Sequence, residues 1–245
     1  MKQGKSKEDK VYSSARDTVE AFEFNAQVAD VFENMIERSV PGYSLLLDMI
    51  GVLTESYAQE GSNSYDLGCS LGASTLRIRQ NLPDDCKVIG IDNSAAMVER
   101  CVHNMQRDHS RAAVEIRQEN LQETIIENAS VVVMNFTLQF IADDDRPALL
   151  KKIWGGLNEG GILILSEKVR FEDADRQGLM TELHHEFKKF QGYSDLEIAQ
   201  KRTSLENVLV PNTVATHSER LSDAGFGTVE LCVRCLNFVA LLAIK

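Results

Sequence analysis

Hydrophobic and polar positions change rhythm three times along this chain. Residues 1–20 are polar and read as a mobile tail or a loosely docked arm. Val28, Val31, Phe32, Met35 and Ile36 then recur at helical spacing, which predicts one helix. Ser39-Val-Pro41-Gly interrupts it, and Pro41 suits the first turn of a second helix with Leu46, Leu47, Ile50 and Leu53 as its apolar stripe. From Ser64 the rhythm becomes alternation. Short apolar strands are expected at Ser64–Leu67, Lys87–Ile91, Val114–Arg117, Val131–Phe136 and Gly161–Ser166. Helices are expected between them at about 71–80, 94–107 and 143–157. Strands that are apolar throughout and alternate with helices predict a parallel sheet covered on both faces.

The region from about Phe171 to Asn207 breaks the alternation. It reads as a helical insertion of two helices, the second opened by a capping box, Ser194-x-x-Glu197. A helix over Thr213–Ala224 ends at Gly225, and strands at Thr228–Val233 and Asn237–Ile244 close the chain. The closing hairpin sets one strand antiparallel to its neighbours. Five βα units plus such a hairpin resemble the Rossmann-like class I methyltransferase fold: a mostly parallel seven-stranded sheet, helices on both faces, one antiparallel C-terminal strand. A single domain over residues 1–245 is expected.

Charge and cysteine content narrow the partners. The 245 residues carry 26 Lys+Arg against 37 Asp+Glu, a formal net charge of −11. That balance weighs against a phosphate-gripping surface, so no direct nucleic-acid partner is expected. Met1–Lys10 has four lysines and no apolar stretch behind them, so it is no signal peptide. Phe238–Ile244 is too short an apolar run to cross a bilayer. Five cysteines suggest reduced thiols and a cytoplasmic location. Cys232 and Cys235 fall in an expected strand, where odd spacing puts them on opposite faces as small hydrophobes rather than a metal or redox pair.

The chemistry-bearing positions sit at strand ends. Tyr65-Asp66-Leu67-Gly68-Cys69-Ser70-Leu71-Gly72 lies where the first strand turns into a helix, the place where open α/β sheets bind ligands. Glycine lets the backbone approach a ligand, and a helix N-terminus offers free N–H groups. The dinucleotide G-x-G-x-x-G and the phosphate-binding G-x-x-x-x-G-K-[ST] are both absent. Asp92 follows the second strand, 20 residues beyond Gly72, where a carboxylate can accept from both ribose hydroxyls. An N-cap role competes for it, as does Ser94 for that cap. Asn93 is next to it, Asn120-Leu121 follows the third strand, and Asn135 ends the fourth. One polar group at each successive strand end reads as an S-adenosylmethionine (SAM) site, so residues 1–245 are expected to form a single SAM-binding domain. His184-His185 gives no metal assignment from spacing, and no metal is expected; Glu167-Lys168 ends the fifth strand near the pocket, where it could orient substrate or form an ion pair, with no proton-transfer role assigned.

Several segments together resemble the carboxy-S-adenosyl-L-methionine synthase family: Arg38-Ser-Val-Pro-Gly-Tyr43-Ser, Tyr65-Asp-Leu-Gly-Cys-Ser-Leu-Gly-Ala73, Ile91-Asp-Asn-Ser94, Asn135-Phe-Thr-Leu-Gln-Phe140, Leu165-Ser-Glu-Lys168 and Gln200-Lys-Arg202. The likeness runs from about Phe24 to Ala243. It implies conversion of SAM and prephenate to carboxy-SAM, phenylpyruvate and water, supplying the donor for uridine 5-oxyacetic acid at the tRNA wobble position. It also implies a homodimer, with small molecules as the only substrates. Tyr43 and Arg202 are implied as catalytic-site contacts of the ligand, Arg202 as the cation gripping the new carboxylate, a task that suits a guanidinium fork. Gly68, Cys69, Ser70, Asp92, Asn93, Asn120, Leu121 and Asn135 map onto cofactor contacts. The family has Asp where this chain has Asn120; an Asn carbonyl can take over an acceptor role toward adenine. The fold by itself also accommodates a conventional SAM-dependent methyltransferase acting on a small molecule or tRNA.

Overall fold

The computed structural model describes residues 7–245; the first six residues of the expected tail lie outside the described residues. Seven strands form one sheet in the order β3-β2-β1-β4-β5-β7-β6. The strands are β1 (Asn63–Leu67), β2 (Lys87–Asp92), β3 (Ala113–Gln118), β4 (Ala129–Asn135), β5 (Leu157–Lys168), β6 (Thr228–Cys235) and β7 (Phe238–Ile244). All neighbours from β3 to β5 pair in parallel, while β7 is antiparallel to both β5 and β6. The expected sheet is therefore the observed one. Strand order reverses between β1 and β4, and this switch point sets the position of the site.

The strands are apolar throughout because both faces are covered. Val132, Met134, Leu163 and Leu165 face Leu149, Leu150, Ile153 and Leu221 on α6 (Arg146–Gly156) and α9 (Val214–Ala224). Their alternates Val131, Val133, Ile162 and Ile164 face Ile50 and Leu53 of α3 (Tyr43–Tyr57) and Ile78 of α4 (Ala73–Gln80). The period of two thus splits each strand between two hydrophobic layers. The helix α5 (Ala95–Gln106) packs on β2 and β3.

Three expectations change. The single helix read across Val28–Ile36 is two, α1 (Ala26–Ala29) and α2 (Phe32–Ser39). The break falls at Asp30-Val31, where Asp30 ends α1 and pairs with Lys7 and Arg100. Pro41 lies just before α3 rather than in its first turn, because left-handed Gly42 (φ +79°) is the N-cap. Cys232 and Cys235 do not face opposite ways. A bulge between Leu231 and Val233 inserts Cys232 as an extra residue. Cys232 packs beside Val233 against Val40 and Leu46, and Cys235 abuts Gly42.

The insertion holds α7 (Ala174–Phe190) and α8 (Asp195–Leu205), with the Ser194/Glu197 capping box formed as the spacing predicts. Residues 7–24 run across α8. Gln200 donates to the carbonyls of Tyr12 and Ser14, its side-chain oxygen accepts from the Arg16 amide, and the Phe22 amide bonds Ser204 O. No helix among the described residues is long and apolar enough to cross a membrane.

Candidate functional site

The chain after β1 turns at Gly68, whose φ of +85° favours glycine and where a methyl group would overlap the Thr137 side chain. The Gly68 and Cys69 amides both reach Ile91 O, at 2.8 and 2.9 Å. Ser70 is also left-handed, at φ +49°, unusual for a side-chain-bearing residue. That conformation aims its amide at Asp92 Oδ2, 2.9 Å away, while Asp92 Oδ1 accepts from the Ser94 amide at 2.9 Å. Ser94, not Asp92, caps α5 through its hydroxyl. Burial raises the Asp92 pKa, and the amides of Ser94, Ser70 and Asn93 act against that rise. Two carboxylate lone pairs remain for a ligand's hydroxyls.

A cleft of about 1310 Å³ opens at these strand ends, and Tyr43, Gly68, Cys69, Ser70, Asp92, Asn93, Asn120, Leu121 and Asn135 all line it. Every cofactor position expected at a strand end therefore converges on one space. Asn135 donates to Ser74 Oγ at 3.0 Å and leaves its buried Oδ1 unpaired, an acceptor available to a ligand. Tyr43 opens α3, half-buried; desolvation and then the charges of Asp66, Glu37 and Glu33 push its phenol pKa up, so it serves as a neutral O–H. The hydrogen bond with Cys101, and then burial, raise the Cys69 thiol pKa well above its ordinary value.

Arg202 is the exception. Its side chain is exposed on the outer side of α8 and it does not line the cleft. The neighbouring Lys201 and Ser204 take the inward positions of that helix. Arg202 nonetheless stands close enough to depress the Lys168 ammonium pKa, after burial. It is therefore near the cleft without being part of its wall.

Sequence reasoning set Lys168 near the pocket and missed the rest of its cationic end. Beyond Tyr43 and Asn135 the lining continues to Lys168, His184, Lys188 and Lys201. Lys168 ends β5, His184 and Lys188 share a face of α7 four residues apart, and Lys201 points in from α8. The i,i+4 pair on α7 was the available signal. Lys201 Nζ donates to Ser39 Oγ at 3.0 Å, and His184 Nε2 bonds Ser39 O at 2.8 Å. Burial is the main cause that lowers these groups, Lys201 to about 8, Lys188 to about 7 and His184 to about 3. No group of three His, Cys, Asp or Glu among the described residues could hold a metal ion.

Comparison with known proteins agrees with this geometry. Residues 65–161 match a family described as a methyltransferase domain. Human N-acetylserotonin methyltransferase, solved with SAM, superposes with a TM-score of 0.61 at 20% identity, over 90% of this chain and 55% of that one. Magnesium protoporphyrin IX methyltransferase from Synechocystis, solved with bound S-adenosylhomocysteine, gives 0.61 at 15% identity over 86% and 87%. These likenesses establish the class I methyltransferase fold. The curated relatives go further. Carboxy-S-adenosyl-L-methionine synthase of Hahella chejuensis is 55% identical over 97% of this chain and 98% of the relative. The same-named protein of Vibrio cholerae is 48% identical over the full length of both. This chain belongs to the carboxy-S-adenosyl-L-methionine synthase family and is a SAM-using transferase.

Proposed function

We propose that the chain forms carboxy-SAM from SAM and prephenate, with phenylpyruvate and water as the other products. The observation that carries this reading is the continuity of the cleft. The residues suited to adenosine and methionine occupy one end, and the same space runs on to a cationic end at Lys168 that suits an anionic second reactant.

In this reading Asp92 holds the ribose hydroxyls, Asn120 and Leu121 meet the adenine, and the Gly68–Ser70 turn admits the amino-acid portion. Asn135 and Tyr43 lie between the two ends, beside the sulfonium. Prephenate loses its ring carboxylate as carbon dioxide while the ring becomes aromatic and hydroxide departs. The hydroxide takes a proton from the acidic sulfonium methyl, giving water and an ylide. The ylide carbon attacks carbon dioxide and forms the new carboxylate, so atoms and charge balance. Tyr43 donates a hydrogen bond to that carboxylate and Arg202 grips it with parallel N–H donors.

The assembly proposed is a homodimer. Leu179 and Leu183 of α7, Phe190 at its end and Leu196 of α8 are exposed apolar side chains on the insertion, a face that a second copy would cover. The cytoplasm suits the five free thiols. The product would supply tRNA wobble-uridine modification, and an enzyme that makes only the small-molecule donor needs no basic RNA-binding surface.

The test is incubation of purified protein with SAM and carboxyl-labelled prephenate, with mass spectrometry of the product. SAM heavier by one labelled carbon dioxide is expected. S-Adenosylhomocysteine with a methylated acceptor, or no product, would refute the reading.

A further inference from the structure

The cationic end of the cleft has a feature that SAM recognition does not use. Lys188 is 9% exposed, and its ammonium has no hydrogen bond or ion pair with any described residue. Lys168 and Lys201 are near enough that their charges act on it. The carboxylates lining the same cleft, Glu33, Glu37, Asp92 and Asp108, pair with none of the three lysines; Asp108 is taken by Arg79. A buried ammonium left without a counter-charge is costly, and two further cations beside it raise the cost. Without an anion the lysine relieves this cost by giving up its proton more readily; an arriving anion favours the ammonium and pairs with it.

The surroundings specify the rest of the ligand. Phe238 lies next to the lysines in the lining, edge-on to Phe136 at 5.8 Å between centroids and to His184 at 4.9 Å. His184 is neutral at working pH, so it adds an aromatic surface and not a fourth charge. Phe136 itself holds a left-handed φ of +61° directly after Asn135, a conformation that costs energy in a side-chain-bearing residue and places its ring against this end. A flat apolar wall beside three ammonium groups fits a ring that bears carboxylates.

We propose that Lys188, flanked by Lys168 and Lys201 and walled by Phe136 and Phe238, forms an anion subsite that anchors a carboxylate of the ring-bearing dicarboxylate substrate. The subsite deepens the function proposed above and rests on it for the identity of the ligand. Lys188 binds, and the reacting carbon lies nearer Asn135 and Tyr43. The competing source of a carboxylate is the amino-acid end of SAM itself, and the experiment separates the two.

Lys188→Met preserves length and apolar stem while removing the charge, and Lys188→Arg restores a cation. Thermal melting and S-adenosylhomocysteine affinity check that each variant folds. Prephenate and malonate are then titrated into full-length protein saturated with S-adenosylhomocysteine, and turnover is measured in parallel. Lys188→Met is expected to weaken prephenate binding and raise its KM at least tenfold, with S-adenosylhomocysteine affinity within twofold of the original. Malonate should bind the original protein and not the variant, and Lys188→Arg should recover part of the loss. Unchanged prephenate affinity and KM would overturn the subsite and leave the proposed function standing. A parallel loss of S-adenosylhomocysteine affinity would overturn it in favour of the amino-acid end of SAM. Malonate binding that depends on Lys188, with prephenate neither bound nor turned over, would keep the anion subsite and sink the proposed reaction.

Discussion

The carboxylate of Asp92 accepts the Ser70 amide at 2.9 Å, so the end of β2 is tied to the glycine-bearing turn after β1. One side chain therefore both shapes the turn and presents acceptors to the ligand. Asp92→Asn keeps the shape but offers one oxygen for two amides and a ribose. We expect SAM affinity to fall on the order of tenfold to a hundredfold, the scale of losing one or two charge-assisted hydrogen bonds. Calorimetric titration of S-adenosylhomocysteine measures this directly, and an unchanged affinity would remove Asp92 from the ribose site.

Gly68 carries the second prediction. Its φ of +85° and the overlap a methyl group would make with Thr137 are separate obstacles. Gly68→Ala should lose most ligand binding. Adding Thr137→Gly should relieve the overlap and leave the backbone penalty, roughly 1–2 kcal/mol. Partial recovery of affinity in the double variant is expected. Full recovery would show that the left-handed turn is dispensable.

Arg202 is exposed and yet assigned to the product carboxylate, so its removal tests role rather than fold. Arg202→Ala should leave the melting temperature nearly unchanged, as surface substitutions do. Carboxy-SAM formation should fall by two orders of magnitude or more while S-adenosylhomocysteine, which has no extra carboxylate, binds as before. Arg202→Lys should rescue poorly, because one ammonium cannot reproduce a two-pronged contact.

Glu167 predicts a pH effect on stability. It is fully buried at the end of β5, and burial lifts its pKa to about 8 against the opposing charge of Arg146 and the nearby Gln139 and Leu138 amides. A carboxyl that holds its proton more tightly folded than unfolded stabilises the fold most below the ordinary value of 4.5. That contribution is lost as pH rises from there to about 8. Glu167→Gln should therefore flatten the fall in melting temperature between pH 5 and pH 8.5. If both proteins follow the same pH curve, Glu167 is not the buried acid described.

The sheet and the polar residues that its strand ends bring to one cleft were legible because their signals are local. An apolar run buried on both faces reads as a strand without any neighbour, and each polar residue at a strand end is fixed by its own strand. The failures share a different cause. Val28 through Ile36 keep helical spacing across a break that Asp30 makes with partners at Lys7 and Arg100, far away in sequence. The opposite faces expected for Cys232 and Cys235 were brought to one side by one inserted residue that only the pairing with β7 reveals. Lys201 and Arg202 differ by one position on α8, and spacing alone gives no way to know which turns inward. Helix rotation is set by what α8 packs against, and that includes the arm at residues 7–24.

That arm has a consequence for how the protein comes into being. Arg16 and Tyr12 meet Gln200 across 184 and 188 positions of chain. At ribosomal speeds of about 5–20 residues per second, the arm waits roughly 10–40 s for α8 to emerge. The same helix brings Lys201 into the cleft, and Phe22 and Phe24 of the arm line that cleft. The lining of the cleft is thus assembled from segments of chain made far apart in time. A chain that has emerged only through β2 carries the glycine turn without α8, so the lining of the cleft is completed late, once α8 and β7 have followed.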